Sequence, residues 1–404
     1  LEGSEGDSLE REDRPHYYSD DHLWSILGIA AYVKETGDTS FLDEVIPYYE
    51  KDKDGKPLQS SSVLDHAKRG LAFTRGDIGK HGLPFLGFAD WNDTVNLPTG
   101  AESFFTANLY GVALREFIAL LKFIGQPADE YEAAYKEMQA RVEEHGWDGE
   151  WYLQATTDDG LLLGSQENEE GKIFLMPNAW AVISQAADPA KASLAMDAVT
   201  RYLLKDYGTL LNYPAFTRPR PDVGYVTRYA PGLRENGGVY THAATWAVWA
   251  YTLAGQPERA YEAYRKICPP NRSRDINTYK AEPYVTPGNI DGPLSEFYGR
   301  GGWTWYTGSS QWLHRVATHW ILGIRPQENG LLVDPSIPAQ WDGYRVTRKF
   351  RSAVYEINVK NPDHVSKGVK TMTIDGKRIA GNIIPAFQDG RSHSVEILMG
   401  QVEK

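Results

Sequence analysis

Apolar residues recur at helical spacing along most of this chain and then switch to alternation, and that switch restricts the folds open to it. Leu23, Ile26, Leu27, Ala30 and Val33 mark one face of a helix that starts at Asp21 and closes at Gly37. Val63, Ala67, Leu71 and Phe73 mark a second, followed by the breakers Gly79 and Gly82-Leu83-Pro84. Residues 102–124 read as a long, strongly apolar helix through Phe104, Leu109, Val112, Leu114, Phe117, Leu120 and Leu121, and 128–145 as its amphipathic, Glu- and Lys-rich partner. Further helices are expected at 177–186, 188–204, 241–254, 257–268 and 308–322. A short hairpin is expected between Trp147 and Leu163, turning at Thr157-Asp158-Asp159-Gly160. Buried helices alternating with half-exposed ones point to helical hairpins.

From Gly330 to Gly400 the pattern becomes short and alternating: 344–346, 353–359, 370–374, 379–384 and 394–398, with turns such as Asp375-Gly376 between them. The expected fold is mainly α, an (α/α)6 toroid followed by a small C-terminal antiparallel β-sandwich. The expected divisions are an N-terminal tail over 1–15, disordered or of arbitrary start, a helical catalytic domain over 16–326 and a β-domain over 327–404. About ten helices are readable where a closed toroid needs twelve, so the missing ones are expected before residue 1. The polar start, Leu1 to Ser8, and the lack of an initiator Met suggest a piece of a longer protein.

Composition narrows the function classes. A net charge of −12 argues against nucleic acid or an anionic membrane as the main partner. The lone Cys268 excludes an internal disulfide and a Cys-based metal cluster, and the ten scattered His include no His-Glu-x-x-His, so no protein-bound metal or organic cofactor is expected. No apolar run reads as long enough to span a bilayer, no signal peptide is visible, and a cytoplasmic location is expected. Twelve Trp and twenty-four Tyr, many beside Gly, Asn or Asp, exceed what packing needs and suggest a wet, aromatic-lined cleft. The Gly/Pro/Tyr-rich loops between the later helices are longer than connectors require and read as walls of that cleft.

The chemistry concentrates in Ala89-Asp90-Trp91-Asn92-Asp93. Carboxylates and amides bond vicinal hydroxyls, an indole stacks on a pyranose, and one carboxylic acid can protonate a glycosidic oxygen. Alone, the same residues would serve as an N-cap with a structural Trp. Asp93 is the candidate general acid, on the expectation that it sits in an apolar, aromatic niche; Asp90 and Trp91 would shape the pocket. Gly301-Gly302-Trp303-Thr304-Trp305-Tyr306-Thr307-Gly308 leads into the helix at 308–322, where amides, the Thr307 hydroxyl and the helix dipole make a phosphate seat, or an ordinary N-cap. Arg234-Glu235-Asn236-Gly237-Gly238-Val239-Tyr240-Thr241-His242 offers His242 as an anion donor, against the plainer reading of a core histidine. Arg300 faces either an anion or solvent, and Lys280 with Glu282 reads as an ion pair without catalytic meaning.

In order along the chain, Ser19-Asp20-Asp21-His22-Leu23-Trp24, the Asp90–Asp93 motif, Arg234 to His242, Lys280-Ala281-Glu282-Pro283-Tyr284, Gly301 to Gly308 and Val365-Ser366-Lys367-Gly368-Val369 resemble glycoside hydrolase family 94. That family holds the cellobiose, cellodextrin and chitobiose phosphorylases and the phosphorylase-like end of cyclic β-1,2-glucan synthases. The resemblance runs from about residue 16 to the C-terminus. It implies an (α/α)6 barrel with a C-terminal β-domain and inverting phosphorolysis of a β-glucoside to an α-sugar 1-phosphate, possible partners being a β-linked oligosaccharide, phosphate and a second subunit in a homodimer. It makes Asp93 the general acid with Trp91 at the sugar, assigns phosphate to His242, Thr307 and Gly308, and sets Tyr229, Arg234 and Glu235 on the acceptor side, Arg234 where relatives have Lys. Phosphate is itself a nucleophile, so no carboxylate base is required opposite Asp93.

The chain departs from the family in lacking the donor-sugar motif, an Arg followed by Arg-Asp, that precedes the Asp-Asp-His-Leu-Trp stretch, and a phosphate-binding arginine goes with it. Cellobiose or a cellodextrin is the expected substrate. Ala89 before the acid motif and Asn96-Leu97 after it resemble the free-standing phosphorylases more than the cyclic glucan synthases. Three rivals stand beside this reading: a synthase domain, an inverting glycosidase indifferent to phosphate, and a glycan-binding remnant without turnover.

Overall fold

The computed structural model describes residues 17–401, so the tail expected over 1–15 lies outside the described residues. The expected helices form. They are α1 (Asp21–Thr36), α2 (Val63–Gly76), α3 (Phe104–Phe123), α4 (Asp129–His145), α5 (Leu175–Ile183), α6 (Pro189–Ala198), α7 (Thr241–Leu253), α8 (Pro257–Ile267), the one-turn α9 (Pro269–Arg272) and α10 (Ile276–Tyr279), and α11 (Thr307–Arg315). Stops follow backbone chemistry: Gly37 takes φ 75° at the end of α1, where its amide bonds the Val33 carbonyl. α6 and α11 run on as π-helical turns, Val199–Leu203 and Val316–Ile321, which carries them to the ends read from sequence.

Two kinds of helix pack together. α1, α3, α5, α7 and α11 pack side by side in that succession, and α5 is buried along its whole length. α2, α4, α6 and α8 lie against them and bury one stripe each, Ala134, Met138 and Val142 in the case of α4. α3 is long and apolar enough to cross a membrane by length and composition, which the sequence reading missed because Arg115 and Glu116 interrupt the run; 78% of that window is buried inside the protein.

Two-residue strands deliver the chain into the buried helices. Glu102–Ser103 leads into α3 and pairs with Ala155–Thr156, which pairs with Leu162–Leu163 in the expected hairpin. Val239–Tyr240, Asn289–Ile290 and Gly301–Gly302 form a three-stranded sheet that sets the start of α7 beside the approach to α11. A separate apolar cluster, with Leu86, Val95, Leu97, Phe174, Phe216 and Val226, sits beneath the long loops and fixes them.

The β-region corrects the sequence reading. Its larger sheet runs Gly343–Phe350, Ala353–Lys360, Ser392–Met399, Val369–Ile374, Lys377–Ile379, and the pairing of Ala353–Lys360 with Ser392–Met399 is parallel, so the sheet is mixed rather than antiparallel. A parallel neighbour needs a long return, which residues 361–391 supply. The single strand expected over 379–384 is two strands, Lys377–Ile379 and Ile383–Pro385, in different sheets. Its first strand, Ile324–Gln327, straddles the division expected at 326/327.

Candidate active site

Asp90 and Asp93 come from one turn and enter opposite surroundings. Asp90 is 0% exposed. Its Oδ1 accepts from the Asn92 amide at 2.9 Å and its Oδ2 from the Ser103 hydroxyl at 2.8 Å, the same serine that caps α3. Burial pushes the Asp90 carboxyl up to about 6, against the pull of those two hydrogen bonds. Asp93 is exposed instead, so the apolar niche expected around it belongs to Asp90. The plainer structural reading of the motif therefore fits Asp90, whose side chain braces the turn, while Asp93 projects from it exposed.

A pocket of about 250 Å³ opens between Asp90, Trp91 and Asp93 on one side and Asp20, just before α1, with Asp21 and Trp24 of α1 on the other. Asp20 is held well above the usual carboxylate range, first by burial and then by neighbouring Asp90, while the Trp24 indole N–H, donating to Oδ2 at 2.7 Å, works the other way. The α1 residues were missed as site candidates, although Ser-Asp-Asp-His-Leu-Trp at a helix start was the available signal. The Ser19 amide, bonded to the Ala89 carbonyl at 3.0 Å, ties the two segments together.

Trp91 links this pocket to a second one-sided cluster. Its ring meets Tyr240 and His242 edge-on, each at 5.1 Å between centroids. His242, in the first turn of α7, is pushed down to about 4 by burial, so its imidazole is neutral at pH 7, and its Nε2 is buried without a hydrogen-bond partner. Gly308 faces it across the gap: a Cβ there would lie 3.2 Å from His242 Nδ1. Thr307 is exposed beside it at the first position of α11. Neither α7 nor α11 has a side-chain cap at its N-terminus, and the Tyr240 and Tyr306 hydroxyls, 3.0 Å apart, bind the two starts together. Two helix N-termini and an imidazole around one gap suit an anion.

The expected acceptor-side residues also converge. The Arg234 guanidinium lies between the Tyr229 and Trp303 rings, 4.7 Å from each centroid, and its Nε is 3.3 Å from Glu235 Oε2. Glu235 is 3% exposed; burial raises its carboxyl, Arg234 lowers it, and the charge of Asp93 adds to the rise, which sets Asp93 within electrostatic reach. Trp303 was not read as a site residue. Arg300 is exposed over the Phe297 ring, and Glu282 accepts from the Trp305 indole at 3.1 Å rather than pairing with Lys280. The expectation that surplus aromatics line a wet cleft holds only in part, since Trp151, Trp180 and Trp246 are fully buried core.

Comparison with known proteins shows the family. The catalytic-domain model of the glycosyl hydrolase 94 superfamily matches residues 6–323, and the chain belongs to that family. It is 42% identical over 388 residues to an N,N'-diacetylchitobiose phosphorylase of Vibrio proteolyticus, covering 95% of this chain and 47% of the relative. It is 34% identical to a solabiose phosphorylase of Paenibacillus borealis over 95% of this chain and 50% of the relative. A cyclic β-(1,2)-glucan synthase of Rhizobium meliloti is 33% identical over 84% of this chain, which corresponds to 13% of the synthase. The chain thus spans about half the length of the phosphorylases it matches. Among solved structures, a sialidase shares the fold at a TM-score of 0.57 with 12% identity, over 81% of this chain and 28% of that one.

Proposed function

We propose that this protein performs inverting phosphorolysis of a β-linked disaccharide, releasing an α-sugar 1-phosphate and a shortened sugar. One observation carries the reading: Trp91, which lines the pocket with Asp93, meets the ring of His242, and His242 with Gly308 and Thr307 borders the gap between the starts of α7 and α11. In this mechanism the Asp93 carboxyl protonates the leaving oxygen, while phosphate on the two helix N-termini attacks the anomeric carbon from the opposite face. Trp91 stacks on the sugar, Asp90 holds the turn, and Tyr229, Arg234 and Glu235 receive the acceptor. An inverting hydrolase would instead need a second carboxylate over a water, and its turnover would not depend on phosphate. The names of the more similar relatives support N,N'-diacetylchitobiose ahead of the cellobiose expected from sequence. The same reading takes the helix succession as part of an (α/α)6 toroid and the two C-terminal sheets as a sandwich.

The test is incubation with N,N'-diacetylchitobiose or cellobiose, with and without inorganic phosphate. Sugar 1-phosphate formed only with phosphate supports the proposal. Free sugar formed at the same rate without phosphate replaces it with a glycosidase.

A further inference from the structure

The Lys280–Tyr284 motif has no part in the site described so far, yet the fold brings it to the rim. Residues 286–288 run antiparallel to 303–306, with the Gly288 amide on the Trp303 carbonyl at 2.9 Å and the Tyr306 amide on the Thr286 carbonyl at 3.2 Å. This pairing puts Glu282 and Tyr284 beside Trp305. Trp303 and Trp305 both adopt left-handed backbone, φ 57° and 61°, a conformation disfavoured for bulky L residues and concentrated at functional sites. Trp303 lies over the Arg234 guanidinium and is 51% exposed, and Trp305 and Tyr284 are more exposed still, at 63% and 73%. The two outer rings lie 6.0 Å apart at 70°. Trp305 is held by its indole N–H on Glu282 Oε1, and Glu282 Oε2 is buried with no partner. A pinned indole, an angled phenol and a carboxylate at the edge offer a pyranose one apolar face and a hydroxyl acceptor.

We propose that Trp305, Tyr284 and Glu282 form a shelf that binds one sugar ring beyond the acceptor ring, so that the cleft takes saccharides of three units as well as two. The shelf joins the acceptor side along the chain: Trp305 lies between Trp303, which stacks on Arg234, and Tyr306, and those two flanking rings are 4.7 Å apart. A protein surface would be the other kind of occupant. The carboxylate at the edge and the continuity with Arg234 favour sugar. This inference rests on the phosphorylase reading for its direction along the cleft.

Calorimetric titration with two-unit and three-unit chito- and cello-oligosaccharides tests it. The wild type should bind the three-unit member of one series about tenfold more tightly than the two-unit member. Trp305→Ala and Tyr284→Ala, each at an exposed position, should lose that step and leave the two-unit affinity unchanged. The shelf is overturned if the wild type shows no step, if the step survives both substitutions, or if neither series binds. It is also overturned if the variants change only the mass of the protein in light scattering, which would mark a protein contact. Phosphate-dependent turnover of the two-unit sugars, run in parallel, keeps the readings apart: turnover without the step sinks the shelf alone, and the step without turnover sinks the phosphorylase reading alone.

Discussion

Asp90 and Asp93 show how three residues of separation set two carboxyl groups to different work. Asp93 is exposed at the pocket, and Asp93→Asn should lower turnover by about 10²–10⁴-fold while leaving saccharide affinity within a few-fold, as read by steady-state kinetics beside calorimetry. Asp90 is buried with a raised pKa, so between about pH 4 and 6 the folded chain holds a proton that the unfolded chain has released. The stability it contributes is present below its unfolded pKa and is lost as pH rises through 6. The difference in unfolding free energy between wild type and Asp90→Asn should therefore shrink by on the order of 3 kcal/mol from pH 4 to 7, as measured by urea denaturation. His22 and His242, both pushed down to about 4 by burial, act in the opposite sense: their contribution is present above 6.5 and lost as pH falls through 4. They are common to both proteins and cancel in the comparison. The sequence showed the residue types of this motif but not which carboxyl would be buried, because burial of Asp90 depends on Ser103 and Gln154, which arrive from other segments.

At the scale of elements, the anion seat depends on the close approach of two helix starts. A methyl group at Gly308 would press on His242 Nδ1, so Gly308→Ala should weaken inorganic phosphate binding about tenfold with saccharide affinity unchanged, as followed by calorimetry. An unaltered phosphate affinity would separate this gap from phosphate. The helices were readable because their apolar faces run for several turns, and α1 ends at the glycine that sequence marked. The strands that aim the site were not readable. Val239–Tyr240, Asn289–Ile290 and Gly301–Gly302 are two residues each, too short for any period, and they are defined by partners in other segments, about fifty residues away for the first pair of strands and about a dozen for the second. His242, Thr307 and Gly308 could thus be picked out individually, whereas their juxtaposition is a product of that sheet.

Across the whole molecule, the β-region is joined to the helices at the C-terminus of α1. The Arg351 guanidinium donates to the carbonyl of Lys34 at the end of α1, at 2.7 Å, where the dipole is negative, and to those of Gln327 at 3.1 Å and Glu328 at 2.9 Å at the end of the strand Ile324–Gln327. Arg348 reaches Glu35 at 2.6 Å nearby, but this pair is half-exposed. Arg351→Ala should cost about 1.5–3 kcal/mol in chemical unfolding and Arg348→Ala less than about 1. Equal costs would mean that the guanidinium bonds to carbonyls do not hold the junction. The change of period after residue 330 announced a β-region, but alternation cannot report whether neighbours run parallel, and the parallel pair of Ala353–Lys360 with Ser392–Met399 came only from the structure.

The central claim is that phosphate, seated on α7 and α11, is the nucleophile. The most direct measurement is proton NMR of the anomeric signals during reaction of N,N'-diacetylchitobiose in phosphate buffer. The account predicts an α-configured sugar 1-phosphate appearing together with an equal amount of free sugar, at a rate that rises with phosphate and falls in Gly308→Ala. Free sugar formed without sugar 1-phosphate, at a rate independent of phosphate, would contradict it.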